Sequence, residues 1–504
     1  MISNSKILIK IFTLNFFLLS CVNKDGEKNK FPNVIYILAD DLGYGDLNCY
    51  NNESKIKTPN IDRLALDGMM FTDMHSTSSV CTPTRYSILT GEYAWRTKMK
   101  SGVLWSYGPL MISNEKETVS KLFKKRNYNT AVIGKWHLGL DWQLKTPYKS
   151  SDVIKNDHGL VTDYNEKIID FSQNPTRGPS NVGFDYNYII PASLDIPPYV
   201  YLENGVFTTP VNDYTMGSNL ERDKDGDFWR PGPMAEGFDF FDVLPKFIDK
   251  AKNYLTKAKN HDSPFFLYLP LAAPHTPWVP KENYDGVSGA GQYGEFVTMV
   301  DDNIGKLLDH LRNLNLEEDT IVVFASDNGP YWKQPYIDEF NHRAAGVLRG
   351  MKGDIYDGGH RIPFIVRWPG KIKSASTNNV PNTLASFYST IADLLKLEST
   401  ALDSHSIFNQ LVEDTKIVTS QPIIHHSSEG HFAIRYRDWK MIEKLGSGGF
   451  SLPVTVELLP GLIEARLYNM RDDSTEKINL SIEHPKIISE MKKKLDSIRS
   501  ISIN

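Results

Sequence analysis

The run Asn33-Val34-Ile35-Tyr36-Ile37-Leu38-Ala39 is apolar and β-rich with no polar alternation, and it stops at Asp40-Asp41. A strand without a polar face has to be covered on both sides, as in a parallel sheet between helices, and its carboxyl end then opens onto a polar rim. Residues 130–133, 265–271, 320–325 and 363–368 read as further strands. Helical stretches lie between them: one from Thr58-Pro59-Asn60 to Gly68, an amphipathic one over 118–127, and a long one from about 293 to 314. The alternation predicts an α/β fold, a mostly parallel sheet sandwiched by helices. With 504 residues, 40% of them hydrophobic, the chain can bury a large core.

In such sheets ligands collect beyond the carboxyl ends of the strands. Asp40 and Asp41 end one strand, Lys135 and His137 follow a second, His275 a third, and Asp327 and Asn328 a fourth. The two Asp/Asn pairs offer hard oxygen ligands, which suit calcium or magnesium and not zinc. A single Asp-Asp pair is usually a helix cap or a solvated turn, but two pairs at two strand ends point to a metal. Cys81 precedes Pro83, which fits a helix's first turn, and Gly91 fits its left-handed stop. The thiol is then expected at a helix N-terminus, where unpaired N–H groups favour an anion, although a free cysteine is more often a buried small hydrophobe. Soft sulfur suits a calcium site poorly. Arg85 lies one turn further along the same helical face. The net charge of -5 argues against nucleic-acid binding, so an anionic substrate has to be met by a local cluster of Lys, Arg and His. Three cysteines, Cys21, Cys49 and Cys81, cannot build a disulfide framework.

Cys81-Thr82-Pro83-Thr84-Arg85, closed by Thr90-Gly91, resembles the signature of the type I sulfatases of the alkaline phosphatase superfamily, whose cysteine is oxidised to formylglycine, an aldehyde. The likeness continues in the family's order through residues 33–41, Gly134-Lys135-Trp136-His137-Leu138-Gly139, Ala273-Pro274-His275, Ser326-Asp327-Asn328-Gly329 and Gly350-Met351-Lys352-Gly353. With Tyr93-Ala94-Trp95-Arg96, the chain is similar to the arylsulfatase A and N-acetylgalactosamine-6-sulfatase branch. The resemblance implies calcium-dependent hydrolysis of sulfate esters. The hydrated aldehyde at position 81 completes the shell of Asp40, Asp41, Asp327 and Asn328, gives a proton to a carboxylate such as Asp327, and attacks sulfur in line with the departing alcohol. By family position Lys135, Lys352 and His275 surround the sulfate, and His275 or Lys352 protonates the leaving oxygen. Arg85 holds the hydrate and the carboxylates, and His137 takes the second hydroxyl's proton, rebuilding the aldehyde and expelling sulfate. The alternative for His275, between Pro274 and Thr276, is a turn histidine hydrogen-bonded to backbone.

Lys6 and Lys10 precede and interrupt an apolar run over 7–19 that is too short to span a bilayer, and Leu18-Leu19-Ser20-Cys21 resembles a bacterial lipoprotein cleavage site. Residues 1–20 are expected to be a signal peptide, Cys21 the lipid-bearing first residue and 21–31 a tether. The expectation is an exported bacterial lipoprotein, held to the membrane by lipid alone and facing periplasm or cell surface. A catalytic domain is expected over 32–370. Within it, residues 140–240, rich in Pro, Gly, Asn, Asp and aromatics, read as an insertion that selects substrate. Residues 371–504 resemble the smaller C-terminal subdomain of sulfatases, an antiparallel sheet with strands near 432–442 and 464–470 packed with a helix over 485–501; 381–397 also looks helical.

The lipoprotein signal favours sulfated polysaccharide fragments as substrates, and the family resemblance adds a maturation partner, a formylglycine-generating enzyme or an anaerobic maturase. Asp195, Arg349 and His405 are candidate sugar contacts; Asp195 and His405 read equally as turn residues bonded to their own backbone. Two rival functions remain. A phosphoesterase on the same architecture uses a Ser or Thr nucleophile and zinc held by several histidines, and a sugar-binding lipoprotein with a dead site would have lost catalytic residues. The cysteine and the complete blocks speak against both.

Overall fold

The computed structural model describes residues 31–501 apart from 219–225, 227, 414–420 and 458–463. The leader, Cys21 and the tether up to residue 30 lie outside the described residues. Among the described residues no helix is long and apolar enough to cross a bilayer.

The central sheet contains β1 (Asn33–Ala39), β2 (Met69–Phe71), β3 (Asn129–Lys135), β4 (Tyr186–Ile190), β5 (Phe265–Pro270), β6 (Thr320–Ser326), β7 (Phe364–Arg367) and β8 (Ser376–Asn378). Its heart is the parallel series β6-β1-β5-β3-β4. β1 is buried along its whole length, as its unbroken apolar run requires. Ile35, Ile37 and Ala39 share a core with α1 (Pro59–Leu66), α4 (Val243–Ala258) and α5 (Gly291–Asn313) through residues such as Leu64, Phe247 and Val300. On the alternate positions, Tyr36 meets Phe387 of α6 (Ser386–Leu394) edge-on at 4.5 Å, and Phe266 of β5 stacks on Phe123 of α3 (Val119–Lys124) at 4.3 Å. Each such fully buried aromatic or aliphatic side chain contributes about 1.5–3 kcal/mol.

Three details differ from the sequence reading. β7 runs antiparallel to β6 and to β2, so the sheet is mixed at that edge. The stretch 140–240 is not all insertion, because Tyr186–Ile190 joins the parallel series beside β3. The main body also continues past residue 370: β8 pairs with β2, and α6 covers the sheet. The antiparallel C-terminal sheet begins at β9 (Ile423–His426) and adds β10 (Phe432–Tyr436), β11 (Trp439–Ile442) and β12 (Arg466–Asn469) in chain order. Ile434 and Met441 pack with Met491 and Leu495 of α7 (Pro485–Ser500), whose first residue is the proline that needs no N–H partner.

A buried polar network locks this sheet to the main body. Lys440 on β11 donates to Asp357 Oδ1 at 2.7 Å and to the Ile355 carbonyl at 3.0 Å, and pairs with Glu476 Oε1 at 2.8 Å. His360 and His425 stack face to face, 4.0 Å between ring centres. Burial holds both imidazoles well below their ordinary pKa; their mutual proximity and Lys440 add to the effect at His360, and His75 and Lys440 at His425. They therefore stay neutral in the fold while the unfolded chain protonates them. The sign follows: their contribution is complete above the unfolded pKa of about 6.5 and is lost as pH falls, each by up to about 1.4 kcal/mol per pH unit. Urea midpoints should fall on acidification below that value, and His425→Gln should flatten the slope; a midpoint constant through this range contradicts the account.

Candidate active site

The helix that carries Cys81 is central to the rim. α2 (Cys81–Thr90) is buried at every position, and Gly91, at φ 68°, ends it in the left-handed turn that glycine adopts without strain. Arg85 faces the sheet from one turn beyond Cys81. Its Nε and Nη2 donate to Asp327 Oδ2 at 3.0 and 2.8 Å, Nη1 donates to the Lys135 carbonyl at 2.9 Å, and Nη2 lies 3.6 Å from Asp40 Oδ1. One guanidinium thus ties together the ends of β1, β3 and β6.

The other cations are placed with equal economy. Lys135, the last residue of β3, reaches Asp40 Oδ2 at 2.6 Å and Cys81 Sγ at 3.7 Å. It follows Gly134, where any Cβ would lie 1.8 Å from the Pro270 carbonyl oxygen, so only glycine lets β3 and β5 meet this closely. Lys352 donates to Asp41 Oδ2 at 2.7 Å, and Asn328 Nδ2 donates to Asp41 Oδ1 at 2.7 Å. Cys81 Sγ sits 3.4 Å from Asp40 Oδ1. His275 Nε2 lies 3.6 Å from Asp41 Oδ2, while its Nδ1 donates to the Thr276 carbonyl at 2.6 Å. His137 Nε2 donates to the Leu104 carbonyl at 2.9 Å, which leaves Nδ1 as a buried lone pair with no hydrogen-bond partner among the described residues. Asp41 and His137 both have positive φ, 64° and 52°, strain of the kind that persists where surrounding structure fixes a functional group.

The field follows from these contacts. Burial alone would raise the Asp40 carboxyl, but Lys135, His275 and Arg85 hold it well below its ordinary range. Burial and then the Asp40 charge raise Asp327, against Arg85. Burial favours the neutral amine of Lys135 and Lys352, yet Asp40 and Asp41 respectively outweigh it and keep both as ammonium groups. Burial and then Asp327 push the Cys81 thiol well above its usual value, so the unmodified residue is a poor nucleophile here. Burial, Lys135 and Arg85 keep His137 neutral.

The oxygen donors fit a hard divalent cation. Among the described residues Asn328 Oδ1 is buried without a hydrogen-bond partner, the condition a metal–oxygen bond relieves, and ligand atoms of Asp40, Asp41, Cys81 and His275 lie within 4.8 Å of one another. Above this floor opens a cavity of about 450 Å³, lined by Cys81, His137, Asp195, Arg230, His275 and Lys352 among others.

A family model described as Sulfatase matches residues 32–397. The chain belongs to the sulfatase family. An N-acetylgalactosamine-6-O-sulfatase of Bacteroides thetaiotaomicron is 32% identical, with 95% of each chain covered, and human arylsulfatase A is 31% identical over 70% of this chain and 62% of that one. A solved B. thetaiotaomicron structure, described under the metabolism of multiple glycosaminoglycans, superposes with a TM-score of 0.79 at 30% identity, covering 94% of this sulfatase and all of the other chain. The protein is therefore a sulfuric ester hydrolase with the alkaline-phosphatase-like fold.

Two of the three candidate sugar contacts lie elsewhere. Arg349 donates from Nη1 to the Glu476 carbonyl at 2.7 Å and stacks 3.9 Å over Tyr356, outside the cavity lining. His405 is exposed, beyond the cavity, next to Asp403, which is committed to Arg96. Asp195 does line the cavity, 3.8 Å from His275 Nδ1. The sequence reading missed Arg230, Trp105, Glu429 and Phe450, which reach the same cavity from distant segments with no shared local pattern.

Arg85→Met should cost about 3–5 kcal/mol, because it leaves Asp327 buried beside Asp40 without its cation. Chemical denaturation of purified protein measures this; a loss below 1 kcal/mol, on the scale of about 0–1 kcal/mol for an exposed pair, contradicts the role given to the guanidinium.

Proposed function

We propose that this sulfatase hydrolyses sulfate esters of carbohydrates, with residue 81 acting as formylglycine and calcium held by Asp40, Asp41, Asp327 and Asn328. The observation that carries the reading is the position of Cys81: a thiol with a raised pKa, 3.4 Å from a carboxylate and 3.7 Å from an ammonium, among hard oxygen donors. Thiolate chemistry is disfavoured at such a point, and an aldehyde hydrate suits it. The hydrate supplies the oxygen that attacks sulfur, and calcium supplies positive charge to the oxygens around it; magnesium shares that ligand chemistry.

The chain's own groups account for the remainder. Lys135 and Lys352 stay charged and are fixed by Asp40 and Asp41, so they offer positive charge to the sulfate oxygens without reorganisation. Asp327, the acid with the raised pKa, suits acceptance of the nucleophile's proton. Lys352, held as an ammonium group, delivers a proton to the leaving oxygen, or His275 does so once its Nε2 is protonated, a state that burial disfavours. His137, neutral with its Nδ1 lone pair unpartnered, is suited to take the proton whose removal regenerates the aldehyde. The relative that acts on N-acetylgalactosamine 6-sulfate makes that sugar the first substrate to try. Asp195 at the cavity wall is proposed as a sugar contact. Maturation by a formylglycine-generating enzyme or anaerobic maturase, and export as a lipoprotein acylated at Cys21, complete the proposal; the support for export is the Leu18-Leu19-Ser20-Cys21 motif.

Matured protein should release sulfate from N-acetylgalactosamine 6-sulfate or another sulfated sugar, lose activity reversibly on calcium chelation, and carry an aldehyde at residue 81 by peptide mass spectrometry. Cys81→Ala should be inactive; full turnover in that variant sinks the proposal. His137→Ala should give a burst of desulfated product followed by slow sulfate release, since only the second half of the cycle is impaired. Slowed product formation with no burst assigns that histidine to the first half instead.

A further inference from the structure

The cavity above residue 81, about 450 Å³, is of the size that encloses a small organic ligand, and its outer wall lies beyond the catalytic groups. Trp105, 41% exposed, and Arg230 stand there. Arg230 is fixed from several sides. Its Nη1 donates to the Asp195 carbonyl at 3.0 Å and to Asp195 Oδ2 at 2.7 Å, and its backbone N–H donates to the same carbonyl at 3.2 Å. Its guanidinium lies 5.1 Å from the centre of the Trp105 ring and 5.0 Å from that of Phe228. Both side-chain bonds use Nη1. Nε and Nη2 make no hydrogen bond among the described residues, although the side chain is only 29% exposed.

A guanidinium presents its donors along one rigid planar edge, so a pinned arginine with unused donors in a cavity wall is a preformed recognition element. Its partner decides what it recognises. Asp195 Oδ2 lies against Arg230, so its N–H donors stand beside a carboxylate. That suits neutral oxygens more than a second oxyanion, which would meet Asp195 as a like charge. The exposed Trp105 ring adds the apolar surface that the C–H face of a sugar covers.

We infer that Arg230 is a specificity-determining residue whose Nε–Nη2 edge donates to hydroxyl oxygens of the sugar ring that carries the scissile sulfate, with Trp105 packing against that ring. The inference rests on the reading of the site as a carbohydrate sulfatase. A site built to bond a hydroxyl rejects the analogue that lacks it, because its donors are then left unpaired.

The test uses matured full-length protein with N-acetylgalactosamine 6-sulfate, analogues of it lacking one ring hydroxyl each, sulfated sugars that also carry a second sulfate or a uronate, and nitrophenyl sulfate. The unsubstituted protein should lose roughly 10–100-fold in kcat/KM on one analogue, consistent with the loss of a hydrogen bond from a charged donor. Arg230→Gln should lose a similar factor on the parent sugar, chiefly through KM, and no longer distinguish that analogue. The ratio of sugar to aryl activity should fall at least tenfold. Arg230→Lys keeps an ion pair with Asp195 but not the fork, and should show the same loss of discrimination should Arg230→Gln fail to fold. Variants that discriminate as before overturn the inference, as does a loss confined to substrates with a second sulfate or a uronate. Inactivity of the unsubstituted protein on every sulfate ester rejects the sulfatase reading, and the inference with it.

Discussion

Three carboxylates, Asp40, Asp41 and Asp327, are buried together at the ends of two adjacent strands, and the rest of the site is organised by the need to compensate them. Ions taken out of water cost several kcal/mol each unless they are paired and hydrogen-bonded. Arg85, Lys135 and Lys352 supply that compensation at 2.6 to 2.8 Å, each from a different element. Because Arg85 and Cys81 share one turn of α2, the contact that neutralises Asp327 also sets residue 81 beside Asp40. The charge compensation thereby places residue 81, the proposed nucleophile, and the same cations stand around it.

The C-terminal sheet belongs to this arrangement. The Ser79 N–H donates to the His426 carbonyl, the Gly353 N–H to the Ser79 carbonyl and the Ser428 N–H to the Gly353 carbonyl. These bonds link the segment before Cys81, the loop of Lys352 and the turn after β9. Ser428, Glu429 and Phe450 then form part of the cavity wall, so a segment remote in sequence shapes the space for substrate. Lys440 and the stacked His360 and His425 tie the same sheet to the segment 355–360.

Much of this was legible in the sequence where one residue type has one plausible use. The unbroken apolar run of β1 demanded a parallel sheet, and the polar residues immediately after it had to lie on the rim; Asp40, Asp41, Lys135, Asp327 and Asn328 do converge there. Some short strands were not legible. Tyr186–Ile190 lies in a stretch rich in turn residues, Ser376–Asn378 is an edge strand without an apolar residue, and Ile423–His426 ends in two histidines. Each is fixed by its neighbours in the sheet and not by its own composition. Arg349 and His405 stand outside the cavity lining, because sequence spacing cannot say which partner a polar loop residue takes; Arg349 takes the Glu476 carbonyl. Arg230 escaped notice for the converse reason, since its meaning depends on Asp195 and Trp105, which only the tertiary fold brings beside it.

The central claim is that the nucleophile held among these acids and cations attacks sulfur and leaves the carbon–oxygen bond of the alcohol intact. Turnover of a sulfated sugar in water enriched with heavy oxygen, followed by mass spectrometry of both products, tests it directly. The account predicts label in the released sulfate and none in the sugar hydroxyl. Label in the sugar would place the cleavage at carbon and contradict it.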